Sequence, residues 1–213
     1  MEEIIDNVTS TWGQKVLDVQ FPVHFVFHIG TMSNDFTAHD ERNNTLAYVR
    51  QKMFKFKEDV IVFSDDTRSK ELFRIRADRW IDFNANYSIF DASGTFTGSV
   101  GRKGMRSLWK ANYGIFDADK NKEYDISEEN PWAKVGDTLL GEVPVLSFFT
   151  GYLFNPKYLV KDLNGRPVAR LSKVSSLFGR KFMLEQLETI PNEDIERMIL
   201  SLMMMILLER RRG

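Results

Sequence analysis

Asp117, Asp119, Asn121, Glu123, Asp125 and Glu128 fall at positions 1, 3, 5, 7, 9 and 12 of one segment. At that spacing hard oxygen ligands wrap a calcium ion in an EF-hand loop. Position 6, where the sharp turn wants glycine, is Lys122. The preceding Tyr113-Gly-Ile-Phe116 alternates as a strand, not a helix. The match lacks its structural context. The segment therefore reads as a solvated acidic hairpin turn, a weak calcium candidate at which no bound metal is expected.

A second chemistry is phosphate recognition. Lys52 and Lys55 follow one hydrophobic hairpin; Arg102, Lys103 and Arg106 follow another at the matching place. Together they are the candidate site for an anionic head group, because Lys and Arg bind phosphate oxygens by charge and hydrogen bonding. The competing reading is a set of ordinary solvated strand faces on which lysine discourages edge pairing. The formal net charge is −1, so any basic site is local and nucleic acid is not an expected partner. His24 and His28 lie four residues apart on one alternating strand, roughly 13 Å from each other, too far to share a metal. With no cysteine there is no thiolate nucleophile and no thiolate metal site. No nucleophile elbow, Walker loop or dinucleotide fingerprint is present. Neither a catalytic residue nor a cofactor is expected.

The elements that must position these residues come from a pattern written three times. One copy reads Tyr87-Ser-Ile-Phe-Asp91-Ala-Ser-Gly94-Thr-Phe-Thr-Gly98-Ser-Val100. Another reads Tyr158-Leu-Val-Lys-Asp162-Leu-Asn-Gly165-Arg-Pro-Val-Ala169-Arg-Leu171. The first is looser, from Phe36 through Asp40, Asn43 and Asn44 to Val49. Each is a strand ending in Asp, a tight turn with Asn or Gly where φ must be positive, and a second alternating strand. The middle inward residue of that second strand is always small: Ala47, Gly98, Ala169. Something thick is expected to approach there.

The C-terminal helix, expected over about 192–210, is the candidate. Asn192 can cap it, and Glu193 and Asp194 put negative charge in its first turn. From Met198 to Leu208 every residue but Ser201 is apolar. A helix apolar on all faces is buried in protein or in lipid. The run is 11 residues long, short of the ~20 needed to cross a bilayer. It reads as a buried core helix and not a transmembrane span. An insertion is expected at about 125–156. It carries Trp132 and the apolar stretch Val143–Phe154, which would cap the barrel or form an interface.

These ordered hairpins, the Arg102-Lys103 pair and the final apolar helix resemble the LURP-one-related proteins. Those belong to the Tubby C-terminal-like superfamily, with the phospholipid scramblases. The resemblance implies a mainly β (α+β) fold: a closed antiparallel β-barrel of roughly 12 strands around a buried hydrophobic C-terminal helix. A single domain over 1–213 is expected. The function it implies is non-enzymatic, a binding or scaffold protein for anionic phospholipid head groups or a protein partner. Its expected location is cytoplasmic, including the periphery of a membrane. The alternative is a calcium-dependent scramblase-like membrane protein, although the stretch before the helix lacks a clear Asp ladder. A weaker alternative is a hydrolase with an unrecognised site. The starting Met1-Glu2-Glu3 does not read as a secretory signal.

Overall fold

The structure, a computed structural model, describes residues 18–28, 35–51, 59–78, 86–102, 112–129, 157–174 and 181–210. Twelve strands run in sequence: β1 Val23–Phe27, β2 Phe36–His39, β3 Thr45–Gln51, β4 Asp59–Phe63, β5 Glu71–Ala77 and β6 Asn86–Asp91, then β7 Phe96–Arg102, β8 Asn112–Phe116, β9 Lys122–Glu128, β10 Lys157–Lys161, β11 Pro167–Val174 and β12 Lys181–Gln186. Each pairs antiparallel with its neighbours in sequence, and β1 pairs with β12. The barrel is therefore closed, and among the described strands no edge is left to recruit another chain. The strands alternate as β-branched and aromatic residues require. In β1, Val23, Phe25 and Phe27 are buried and His24 and Val26 are half-buried.

The lumen is filled by one helix, α1, Asn192–Arg210. Met198 through Leu207 are buried on every side. This explains the absence of a hydrophobic stripe: a helix surrounded by sheet needs apolar residues all round. Among the described residues, no helix is long and apolar enough to cross a membrane.

The hairpin pattern recurs more often than the sequence suggested. Turns follow Asp40, Asp65, Asp91, Asp117 and Asp162, so two further copies lie at Asp65 and Asp117. In each, the amide of the residue three places on donates to the Asp carbonyl, and that residue has positive φ: Asn43, Arg68, Gly94, Lys120 and Gly165. A register shift accompanies each turn in the adjoining strand pair. Such a turn plus bulge matches the right-handed twist of the strands. At Asp40, Asp91, Asp117 and Asp162 the carboxylate accepts the amide of the residue four places on, at 2.7–2.8 Å. Arg68 and Lys120 hold positive φ without the usual Asn or Gly, which is why these two turns do not read in sequence as copies of the pattern, although the Asp117 segment does read as a hairpin turn.

The three copies evident in sequence are β2–β3, β6–β7 and β10–β11, spaced four strands apart in a ring of twelve. Ala47, Gly98 and Ala169 occupy matching positions, facing Ala38, Ile89 and Val160 across their hairpins. All three are buried. At Gly98 the helix is the reason: a Cβ there would lie 2.5 Å from Arg197 Cδ and 2.6 Å from the Phe116 carbonyl oxygen. Gly101 and Gly114 pair across β7 and β8 on the outer face, where the Phe116 ring lies over both.

All five Asp turns sit at one rim, here the turn rim, and α1 enters the lumen there after β12. The opposite rim, the link rim, receives the ends of β1, β3, β5, β7, β9 and β11 and the C-terminal end of α1. The expected insertion starts later than 125. β9 continues to Glu128, because Tyr124 and Ile126 alternate into the core. Residues 130–156, with Trp132 and the Val143–Phe154 stretch, lie outside the described residues.

Candidate functional site

Several oxygens of the 117–128 segment are already engaged. Asp117 Oδ1 accepts the Asn121 amide at 2.7 Å, and Asp117 Oδ2 accepts Asn121 Nδ2 at 3.0 Å. These bonds, the Asn121 side chain first, hold the Asp117 carboxyl below its ordinary value. Lys122 donates to Asp125. Asp119 is exposed at the turn, while Glu123 and Glu128 lie five residues apart on β9, about 16 Å along an extended strand. The six residues are thus strung along a turn and a strand and do not converge on one point. Among the described residues, no group of three or more His, Cys, Asp or Glu side chains is placed to hold a metal ion. His24 stands opposite His39 across β1 and β2. Burial, then His28, lowers the His39 pKa against the pull of Asp40.

Of the basic candidates, Arg102 is the last residue of β7. Lys52, Lys55, Lys103 and Arg106 lie outside the described residues. The strands that flank them are informative. β3 ends at Gln51 and β4 starts at Asp59, and β7 ends at Arg102 and β8 starts at Asn112, all on the link rim. Both links must leave and re-enter there. β3 and β7 are four strands apart, roughly 19 Å along the wall at ~4.8 Å per strand.

Sequence reading missed a polar clasp at the turn rim. Arg197 on α1 donates two hydrogen bonds to Glu123 of β9, at 2.7 and 2.5 Å, and one to Asp194 at 3.1 Å. Tyr124 O–H donates to Asp194 Oδ2 at 2.5 Å. Burial pushes the Glu123 carboxyl above its ordinary value, against the pull of Arg197. Burial lowers the Arg197 guanidinium, but Glu123 and Asp194 outweigh it and hold it raised. The clasp fixes the depth of the helix, since Arg197 also covers Gly98. Nothing in the sequence links positions seventy or more residues apart.

A second polar group lies on the outer wall near the link rim. Tyr48 O–H donates to Asp35 Oδ2 at 2.7 Å. Burial, then that carboxylate, pushes the Tyr48 phenol up to about 12. Thr37 faces Tyr48 across β2 and β3. Its hydroxyl shares a 2.6 Å hydrogen bond with His28 Nε2, and the His28 ring lies 5.7 Å from that of Tyr48. Asp35 and Thr37 are buried although they stand on an outward face. His28 is exposed and forms the solvent edge of the group.

Residues 44–141 match the LURP-one-related family. The match spans a little under half of the chain. No curated protein and no solved structure matches it. The LURP-one-related match runs from the end of the β2–β3 turn through β9 and beyond. The barrel itself closes only when β1, β2 and β10 to β12 join it. Two of the three hairpin copies, and the strand ends that flank the basic links, involve the LURP-one-related stretch. The helix that fills the lumen lies beyond it.

Proposed function

We propose that this chain is a non-enzymatic binding protein that docks its link rim on anionic phospholipid head groups. Strand topology carries the reading. The ends of β3 and β7, which lead into Lys52, Lys55, Lys103 and Arg106, share one rim with Arg102 and with Arg210 at the end of α1. Cations spread around a rim about 19 Å from one strand to the other suit a charged surface better than one small anion. The five Asp turns lie at the opposite end.

Each Lys or Arg near an anionic bilayer adds about 1 kcal/mol, screened by salt. Sedimentation with anionic and neutral vesicles at two salt concentrations, with calcium or with chelator, tests the proposal. Binding to anionic vesicles alone, weakened by salt and unchanged by chelation, is expected. Replacing Lys52, Lys55, Lys103 and Arg106 with Gln should abolish it. Loss of binding on chelation would favour the scramblase-like alternative. Binding to neither kind of vesicle would leave a protein scaffold.

A further inference from the structure

The chain has three histidines, and two of them face each other. The register puts His24 opposite His39 across β1 and β2, and opposite Met183 across β1 and β12. His39, His24 and Met183 therefore form one row over three adjacent strands, on one face of the sheet. That face is the outer one, because the next residue inward along each strand, Ala38, Phe25 or Leu184, is buried in the core. All three members of the row are half-buried, so water reaches them. Directly opposed residues start from Cβ atoms about 5 Å apart, within reach of long side chains. His28, roughly 13 Å from His24 along the chain, lies outside the row and bonds to Thr37.

Two imidazoles opposed across a strand pair can close on a single ion. Thr45 Oγ1 lies 3.5 Å from His39 Nδ1. A ring steadied at Nδ1 presents Nε2 as its metal donor. Asp40 follows His39 and adds negative charge beside the row. It does not compete for the ion, since its two carboxylate oxygens accept from the Asn44 amide and side chain. Among the described residues no third His, Cys, Asp or Glu joins the pair. The third member is a thioether, and that composition chooses the metal. Magnesium and calcium require several oxygens. Zinc takes imidazole, thiolate or carboxylate in a fuller set. Two imidazoles and one soft sulfur suit monovalent copper.

We propose that His24, His39 and Met183 form a site for one copper(I) ion, held by two imidazole nitrogens and a thioether sulfur on the outer wall. His39 is the last residue of β2, one place before the Asp40 turn. The site thus lies toward the turn rim and is independent of lipid docking at the link rim. The β1–β12 pair is the seam where the first and last strands close the barrel. An ion held across that seam ties both ends of the strand order together, and a ligand bound only by the folded chain raises its stability.

The test titrates the full chain with copper(I), without oxygen and against a chromophoric chelator. Silver(I), a redox-inert stand-in, serves for melting curves and for NMR of the imidazole rings. Wild type should bind one equivalent of copper(I), at least about tenfold tighter than zinc(II), and should melt at a higher temperature when loaded. His24→Gln, His39→Gln and Met183→Leu should each weaken copper(I) binding about tenfold or more, whereas His28→Gln should not. Undiminished binding in His24→Gln, His39→Gln or Met183→Leu overturns the site. So does a site lost in His28→Gln, zinc bound as tightly as copper(I), or no binding at all. Should a variant fail to fold, the wild-type rings decide. Silver(I) shifts at His24 and His39 but not at His28 uphold the site, and any other pattern overturns it.

Discussion

Gly98 shows how much one missing methyl group decides. Its φ is +155°, and a Cβ would meet the Phe116 carbonyl oxygen at 2.6 Å as well as Arg197. The side chain of Arg197 could swing away; a backbone carbonyl in a paired strand cannot. Gly98→Ala is expected to destabilise by about 1–3 kcal/mol, seen as a lower midpoint in chemical denaturation. An unchanged midpoint would mean that β7 and β8 can part without cost. The Asp turns give a pH dependence at the same scale. Asp117 is lowered chiefly by its bond from Asn121. Asp162 is lowered because donors from Arg166 and Asn164 outweigh burial, which pushes the other way. A carboxyl whose folded pKa is depressed stabilises above its unfolded pKa of about 4, and loses that contribution as pH falls through the folded value. Asp117→Asn with Asp162→Asn should therefore flatten the acid side of the stability profile below about pH 4. An identical acid limb in the variant would refute the assignment.

At the scale of elements, α1 is held by contacts of two kinds. Its buried stretch is apolar apart from one hydroxyl, Ser201, whose Oγ has no hydrogen-bond partner among the described residues. Its first turns carry the clasp of Asp194 and Arg197 with Glu123 and Tyr124. Apolar packing alone would let a smooth helix slide along the lumen, whereas a bidentate Arg–carboxylate pair has one geometry. Ser201→Ala should remove an unsatisfied oxygen and raise helix propensity together, stabilising by about 1 kcal/mol. A lower melting temperature in that variant would show that Ser201 has a partner in the folded protein. The turns divide labour in the same way: the carboxylate fixes the chain reversal, and the bulge beside it sets the twist that closes the ring.

For the whole molecule, barrel and helix are one cooperative object. Twelve inward faces point at a single helix, so removing it exposes Val23, Phe25, Ile75, Ile89, Ile115 and their neighbours to water. A chain ending before Pro191 is expected to lose cooperative unfolding and to aggregate, as read by circular dichroism and light scattering. A soluble truncated chain with a sharp melt would show that the strands fill their own lumen. The up-and-down order places successive connections at alternate rims, so the five Asp turns gather at one end.

The sequence by itself determined the elements whose cause is local. Asp with Asn or Gly three places on marks a turn because few residues tolerate positive φ, and β2–β3, β6–β7 and β10–β11 were legible for that reason. The all-round apolarity of Met198–Leu208 marked a buried helix. Of the small residues Ala47, Gly98 and Ala169, Gly98 marked a close approach. Arg68 and Lys120 hid the kinship of two further turns with the pattern, because the surrounding pairs hold those residues in a conformation their own preference would not choose. Only the tertiary structure decided what depends on distance in space: that the copies are thirds of one ring, that Arg197 meets Glu123, and that Tyr48 meets Asp35. Those pairings arise from strand register and helix depth. Register and depth are set by the packing of the whole barrel, a sum over contacts that no segment of the chain contains.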